Sequence, residues 1–194
     1  MMNTQANLAL RGAFFGSLLV IFLCCILTAG NSSINDPKMA LAADPAEDTT
    51  GVTIQCRVSQ KFPQNILQWC DLITSNADQT GLAPDLIAAL IWQESGGNPL
   101  AYSSSGAVGL MQVMPRDGLA ANFICSNGPC FASRPSIEEL QNPDFNITYG
   151  TKMLSGLVKH SGSLREALKA YGPKDVGYYY ADKVLAIFER YGEQ

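Results

Sequence analysis

Charge is scarce in this chain: Asp, Glu, Lys and Arg together make up only 15% of its 194 residues. Lys and Arg number 13 against 17 Asp and Glu, a net of −4, so the cationic surplus that grips nucleic acid is missing and no nucleic-acid partner is expected. Histidine is nearly absent. The single one, His160, and the lack of any CxxC pair leave no zinc-ligand set, and neither metal nor cofactor is expected. His160 itself reads as a solvated residue near a helix C-terminus. No repeat with a period of about 20–50 residues is visible, which argues against a solenoid. Within residues 95–135 runs with strand-like alternation are few. With 47% apolar residues the chain is too apolar for a disordered tail and long enough to enclose a core.

Part of the apolar content is concentrated. The 18 residues from Ala13 to Gly30 carry no charge, Arg11 stands just before them, and the next charge is Asp36. A run of that length can span a bilayer, with the preceding basic residue on the inner side. It also fits a secretory signal cut after the small residues Thr28 and Gly30. Residues 1–30 are therefore a signal anchor or a signal peptide, and both readings export everything that follows. Beyond residue 30, 12 basic residues face 17 acidic ones, a net of −5, so charge alone does not hold the exported part to an acidic wall.

The cysteines agree with export. Cys24 and Cys25 lie inside the apolar run and serve there as small apolar residues. Cys56, Cys70, Cys125 and Cys130 follow it, and four cysteines allow three pairings. The intervening Ser126-Asn127-Gly128-Pro129 is tight-turn sequence. The expected pairs are Cys125 with Cys130 and Cys56 with Cys70.

Residues 31–55 read as a linker, polar and without sustained period, and 56–194 as the folded domain. Asn65 to Ala77 sets Ile66, Leu67, Cys70 and Ile73 at helical spacing, with Gly81 beyond the end. Pro84 opens a helix, with Asp85 favourably placed in its dipole, and Leu86 to Glu94 is apolar nearly all round, hence central. Ser136–Glu139 and Ser163–Glu166 both match the capping box. Helical registers also run from Phe145 to Lys159 and over Tyr178–Tyr191, the latter with Ala181, Val184, Leu185 and Phe188 on one face. Residues 95–135 are rich in Gly, Ser, Asn and Pro. The fold expected is mainly α with a loop-rich segment in its middle.

Glu94 is the residue that calls for a chemical reading. It closes the most apolar helix, and Ser95-Gly96-Gly97 is a helix stop. The negative end of the helix dipole and apolar neighbours such as Leu90, Ile91 and Trp92 both disfavour a carboxylate there. That raises its pKa toward the range of a general acid. Downstream stand Asn98-Pro99, Ala101, Ser103, Gly106-Ala107, Gly109-Leu110-Met111-Gln112 and Met114-Pro115, then Asn146-Ile147-Thr148-Tyr149-Gly150 and Ala170-Tyr171. This pattern, over roughly residues 65–191, resembles the signature of lytic transglycosylases of the soluble-lytic-transglycosylase (SLT) type, lysozyme-like enzymes acting on peptidoglycan. One departure is Ala170-Tyr171-Gly172-Pro173, where family members usually read Ala-Tyr-Asn-x-Gly.

The resemblance implies a lysozyme-like helical domain with a loop-rich cleft, and the apolar run predicts one N-terminal hydrophobic helix before it. The resemblance also implies that Glu94 first protonates the β-1,4 bond between N-acetylmuramic acid and N-acetylglucosamine and then, as base, helps close a 1,6-anhydro ring. Ser95, Met111, Gln112, Asn146 and Tyr171 would serve substrate binding. Residue by residue, other roles stay open: Ser95 as a local backbone partner, Met111 and Tyr171 as core residues, Asn146 as a helix cap after Pro143. Gly106 and Gly109 fit tight turns near the sugar. Tyr178, Tyr179 and Tyr180 suggest sugar stacking, but consecutive helical residues face different ways, so at most one or two can line a cleft. The implied partners are peptidoglycan strands, the membrane through the N-terminal helix, and envelope-spanning machinery, all in the extracytoplasmic bacterial envelope. Two other functions fit the same residues: a hydrolase like the goose-type lysozymes, and a catalytically idle peptidoglycan-binding part of a secretion or conjugation apparatus.

Overall fold

The computed structural model describes residues 55–193; the apolar run at 13–30 and the linker up to residue 54 lie outside them. Helices dominate. In chain order they are α1 (Gln64–Leu67), α2 (Cys70–Thr80), α3 (Pro84–Ser95), α4 (Ile137–Leu140), α5 (Pro143–Ser161), α6 (Leu164–Tyr171) and α7 (Tyr179–Tyr191). Between α3 and α4 the chain forms loops, a 3-10 turn at Gly118–Asn122, and a small antiparallel hairpin of β1 (Ile124–Cys125) and β2 (Gly128–Pro129). Among the described residues no helix is long and apolar enough to cross a membrane.

The all-round apolar helix is central. Every residue of α3 from Asp85 to Ile91 is buried, and α2, α7 and α1 pack around it. α2 also packs against α5, which in turn carries α4 and α6. Asp85 does more than sit in the dipole field. Its buried carboxylate accepts N–H bonds from Ser59 at 2.7 Å and Glu193 at 2.8 Å, tying both ends of the domain to the start of the core helix.

Helix ends follow local chemistry in most places. Gly81 closes α2 and Gly96 closes α3, both left-handed. Ser136 and Glu139 complete a reciprocal capping box on α4. The second capping box does not form: Ser163 makes no side-chain cap bond. Its expected partner Glu166 is engaged instead by the hydroxyl of Tyr178 and by Lys169. The helix expected over 65–77 is interrupted at Gln68 and Trp69. Trp69 leaves helical geometry and donates its indole N–H to Gly97 O at 3.0 Å, a tertiary bond that helical periodicity does not register.

Both disulfides are present in the expected pairing. Cys56 joins Cys70 with Cα atoms 5.4 Å apart, and Cys125 joins Cys130 at 5.0 Å. The first fastens the entry segment to the start of α2; the second staples the exposed hairpin. From loop-closure entropy, replacing Cys56 and Cys70 by Ser is expected to cost about 3 kcal/mol and the Cys125/Cys130 pair about 2 kcal/mol. Urea unfolding of the two double variants checks the order; a hairpin pair costing more than the entry pair contradicts it.

Candidate active site

The site is built where α3 runs out. Glu94 is its penultimate residue and is half-buried, and its Oε1 accepts the hydroxyl of Tyr180, a buried residue in the first turn of α7. Burial away from water pushes the Glu94 pKa up from 4.5 to about 7, while the Tyr180 hydrogen bond pulls the other way, favouring the carboxylate. The shift expected from the sequence is therefore there, with loss of solvent as its main cause. The Tyr180 hydroxyl is pushed well above its ordinary range by burial and then by the charge of Glu94. It thus stays a proton donor throughout the range in which Glu94 titrates.

The Gly-rich loop beyond α3 is fixed by side chains that bond its backbone. Val108 makes isolated bridges to Tyr102 and Val113, folding residues 102–113 back on themselves. Ser95 donates its hydroxyl to Leu110 O at 2.9 Å and accepts the Gly97 N–H at 3.1 Å. Asn146, fully buried on α5, accepts the Met111 N–H at 2.8 Å and donates to Val108 O at 3.0 Å and Leu140 O at 2.8 Å. This approach needs Gly109, which is left-handed at φ +78°; a Cβ there would lie 2.2 Å from Asn146 Nδ2. The Tyr171 hydroxyl donates to Met111 O at 2.8 Å. Met111 itself is wholly buried against α5, where a Cβ on Gly150 would fall 2.6 Å from its sulfur.

These placements sort the residues singled out from the sequence. Ser95, Asn146 and Tyr171 bond the backbone of one loop, and Met111 of that loop is buried against α5. Asn146 is not the cap of α5; Asn142 is, accepting the Phe145 N–H at 3.0 Å. Gln112 is half-buried and is the one non-glycine residue with positive φ among those described, at 46°. Its Nε2 donates to Gly109 O at 3.0 Å and Ala101 O at 3.2 Å, so the side chain stabilises the strained turn it occupies. His160 is exposed in the last turn of α5.

Tyr180 is the residue that the sequence does not set apart from its two neighbours. A signal was available: the stripe Val184 and Phe188 on α7, extended back one turn, lands on position 180. Tyr179 faces outward at 65% exposed, and Tyr178 packs against α6. The departure at Gly172 also acquires a structural meaning. A Cβ at that position would lie 2.2 Å from the Tyr180 ring, so the missing side chain is what admits the ring.

The sequence of this helical domain matches a known class of protein. The Transglycosylase SLT domain family matches residues 71–178, more than half of the chain, and the chain belongs to that family. The membrane-bound lytic murein transglycosylase E of Buchnera aphidicola is 31% identical over 160 residues, covering 82% of this chain and 66% of its own length. The endo-type membrane-bound lytic murein transglycosylase A of Citrobacter koseri is 41% identical over 98 residues, covering 50% of this chain and 46% of its own. The chain thus spans from under half to about two thirds of the length of these relatives. An X-ray structure of an inactive variant of lytic transglycosylase Slt from Pseudomonas aeruginosa is 25% identical with a TM-score of 0.48, covering 62% of this chain and 23% of that one.

Two measurements test the site as built. Because the folded Glu94 pKa lies above 4.5, the unfolded chain loses that proton first, and stability falls as pH rises from 4.5 to about 7. Relative to wild type, Glu94→Gln should therefore gain stability across that window, by at most about 3 kcal/mol. Denaturation of both proteins at about pH 4 and about pH 8 reads this directly, and a constant difference contradicts it. Asn146→Ala strands three buried backbone groups and should cost roughly 3 kcal/mol or more by urea unfolding. A loss below about 1 kcal/mol would show that the loop does not depend on it.

Proposed function

We propose that this protein is a peptidoglycan lytic transglycosylase with Glu94 as its single acid and base. The observation that carries the reading is a carboxyl at the end of the core helix that accepts the hydroxyl of buried Tyr180, in a chain of the Transglycosylase SLT domain family; a pKa raised by burial to about 7 suits it to hold or release a proton near neutrality. As acid, Glu94 gives its proton to the glycosidic oxygen between N-acetylmuramic acid and N-acetylglucosamine, and the C1–O bond breaks. The neighbouring acetamido oxygen stabilises C1, as in substrate-assisted glycosidases. As carboxylate, Glu94 then removes the C6 hydroxyl proton, and that oxygen closes on C1 to give a 1,6-anhydro end. No water is consumed, and the proton returns to Glu94.

The remaining residues divide by reach. Gln112 spends its Nε2 on the loop, and its amide oxygen is the group placed to accept from a sugar hydroxyl or N–H. Ser95, Met111, Asn146 and Tyr171 shape the loop against which the sugar lies. Residues 56–194 form the catalytic domain, and 31–55 link it to the apolar segment at 1–30. That segment places the domain in the extracytoplasmic bacterial envelope, as an anchor or as a cleaved signal, within reach of wall strands and of any envelope-spanning machinery that needs a local opening. Two relatives carry names that describe membrane-bound enzymes, which supports the envelope location.

Digestion of purified sacculi, with mass analysis of the muropeptides, tests the reaction. The expected products are anhydro-muropeptides, each one water lighter than a reducing end. Glu94→Gln should lower the rate by at least about 10²-fold, since one group serves both steps. Reducing-end products would make the protein a hydrolase. Absence of cleavage by the wild type would make it a binding component.

A further inference from the structure

The first turn of α7 carries the partner of Glu94, yet it begins without the usual protection. Tyr178 occupies its capping position and makes no side-chain cap bond. A helix so begun leaves N–H groups unpaired and frays unless something else holds its first turn. The approach offers no support, since residues 173–177 are all exposed.

The support lies on the outer side. Arg165 of α6 grips Asp182 through two parallel bonds, Nε to Oδ1 at 2.7 Å and Nη2 to Oδ2 at 2.8 Å. The same guanidinium lies 3.9 Å from the centre of the Tyr178 ring, and Lys169 Nζ, one turn further along α6, lies 4.2 Å from it. The Tyr178 hydroxyl donates to Glu166 between them. Positions 178 and 182 bracket position 180 in sequence. Both are tied outward to α6, and Tyr180 between them points inward to Glu94.

We propose that Arg165, Tyr178 and Asp182 are positioning residues, a clasp that holds the uncapped first turn of α7 on α6 and so keeps the Tyr180 hydroxyl on Glu94. Its consequence for turnover rests on the reading of Glu94 as the acid; the clasp itself does not. An exposed ion pair adds little to global stability, so the signature of the clasp is local. The titratable groups facing Glu94 are Tyr180 from α7 and Tyr171 from the end of α6. Of these, Tyr180 is the one bonded to it, and that bond favours the carboxylate.

The test is the titration of the Glu94 carboxyl followed by carbon NMR in the folded domain, in wild type, Arg165→Met, Asp182→Asn, Tyr180→Phe and the two double variants with Tyr180→Phe. Losing the Tyr180 bond moves the midpoint up, so Tyr180→Phe sets the full displacement. Arg165→Met and Asp182→Asn are expected to move it part of the way in the same direction. Asp182→Asn decides the matter, because removing a negative charge would by its field alone move the midpoint down. In the Tyr180→Phe background Asp182→Asn should not move it upward, and any rise in Arg165→Met should be no more than the field of the lost positive charge. Turnover of peptidoglycan should fall about 3–10-fold in Arg165→Met with KM unchanged. A midpoint in Asp182→Asn that stays put or falls overturns the proposal, as does an upward move of equal size with and without the Tyr180 hydroxyl. The titration needs no turnover, so an active Glu94→Gln would end the catalytic reading while the clasp would still stand or fall on the midpoints.

Discussion

Keeping water from one carboxyl is the constraint around which this domain is arranged. Glu94 stands at the end of a helix whose preceding residues are buried from Asp85 to Ile91, and its nearest polar companion is a buried tyrosine. A charged carboxylate is disfavoured in that setting, and the proton is retained to about pH 7. The domain must therefore hold Glu94 in a place that costs it stability above that pH. The scaffold offsets this with the uninterrupted apolar packing of α3 and with two disulfides at its margins.

The loop bonded to Ser95 obeys a second rule: its backbone polar groups are bonded by side chains from three different helices. Ser95 reaches it from α3, Asn146 from α5 and Tyr171 from α6. Loops this rich in glycine lose much conformational entropy on ordering, and a few strongly directional bonds are an effective way to select one geometry. Three of the residues that family resemblance implies in substrate contact, Ser95, Asn146 and Tyr171, are thus bonded to the backbone of this loop.

Much of this was legible from the residues. The all-round apolar run of α3, the Ser136 capping box, the stop at Gly81, the Cys125–Cys130 bridge and the unusual carboxyl at position 94 all follow from local chemistry, and Cys56–Cys70 is the pair that remains. What escaped depends on long-range contacts. Trp69 breaks a helical register because its indole bonds Gly97, 28 residues away. Ser163 fails as a capping box because Tyr178 and Lys169 engage Glu166 first. Asn146 reads as a cap near Pro143, but Asn142 already fills that role and frees Asn146 to bond across 35 and 38 residues. Tyr180 was one of three adjacent tyrosines, separable only by the phase of the helix that follows.

The chemistry proposed for the site depends on Glu94 holding its proton near neutrality, and one measurement addresses that without any substrate. Carbon NMR of the Glu94 carboxyl in the folded wild-type domain, followed across the acid and neutral range, should show a titration midpoint of about 7. A midpoint in the ordinary carboxylate range, near 4.5, would mean that water reaches the group freely and that the site lacks a general acid.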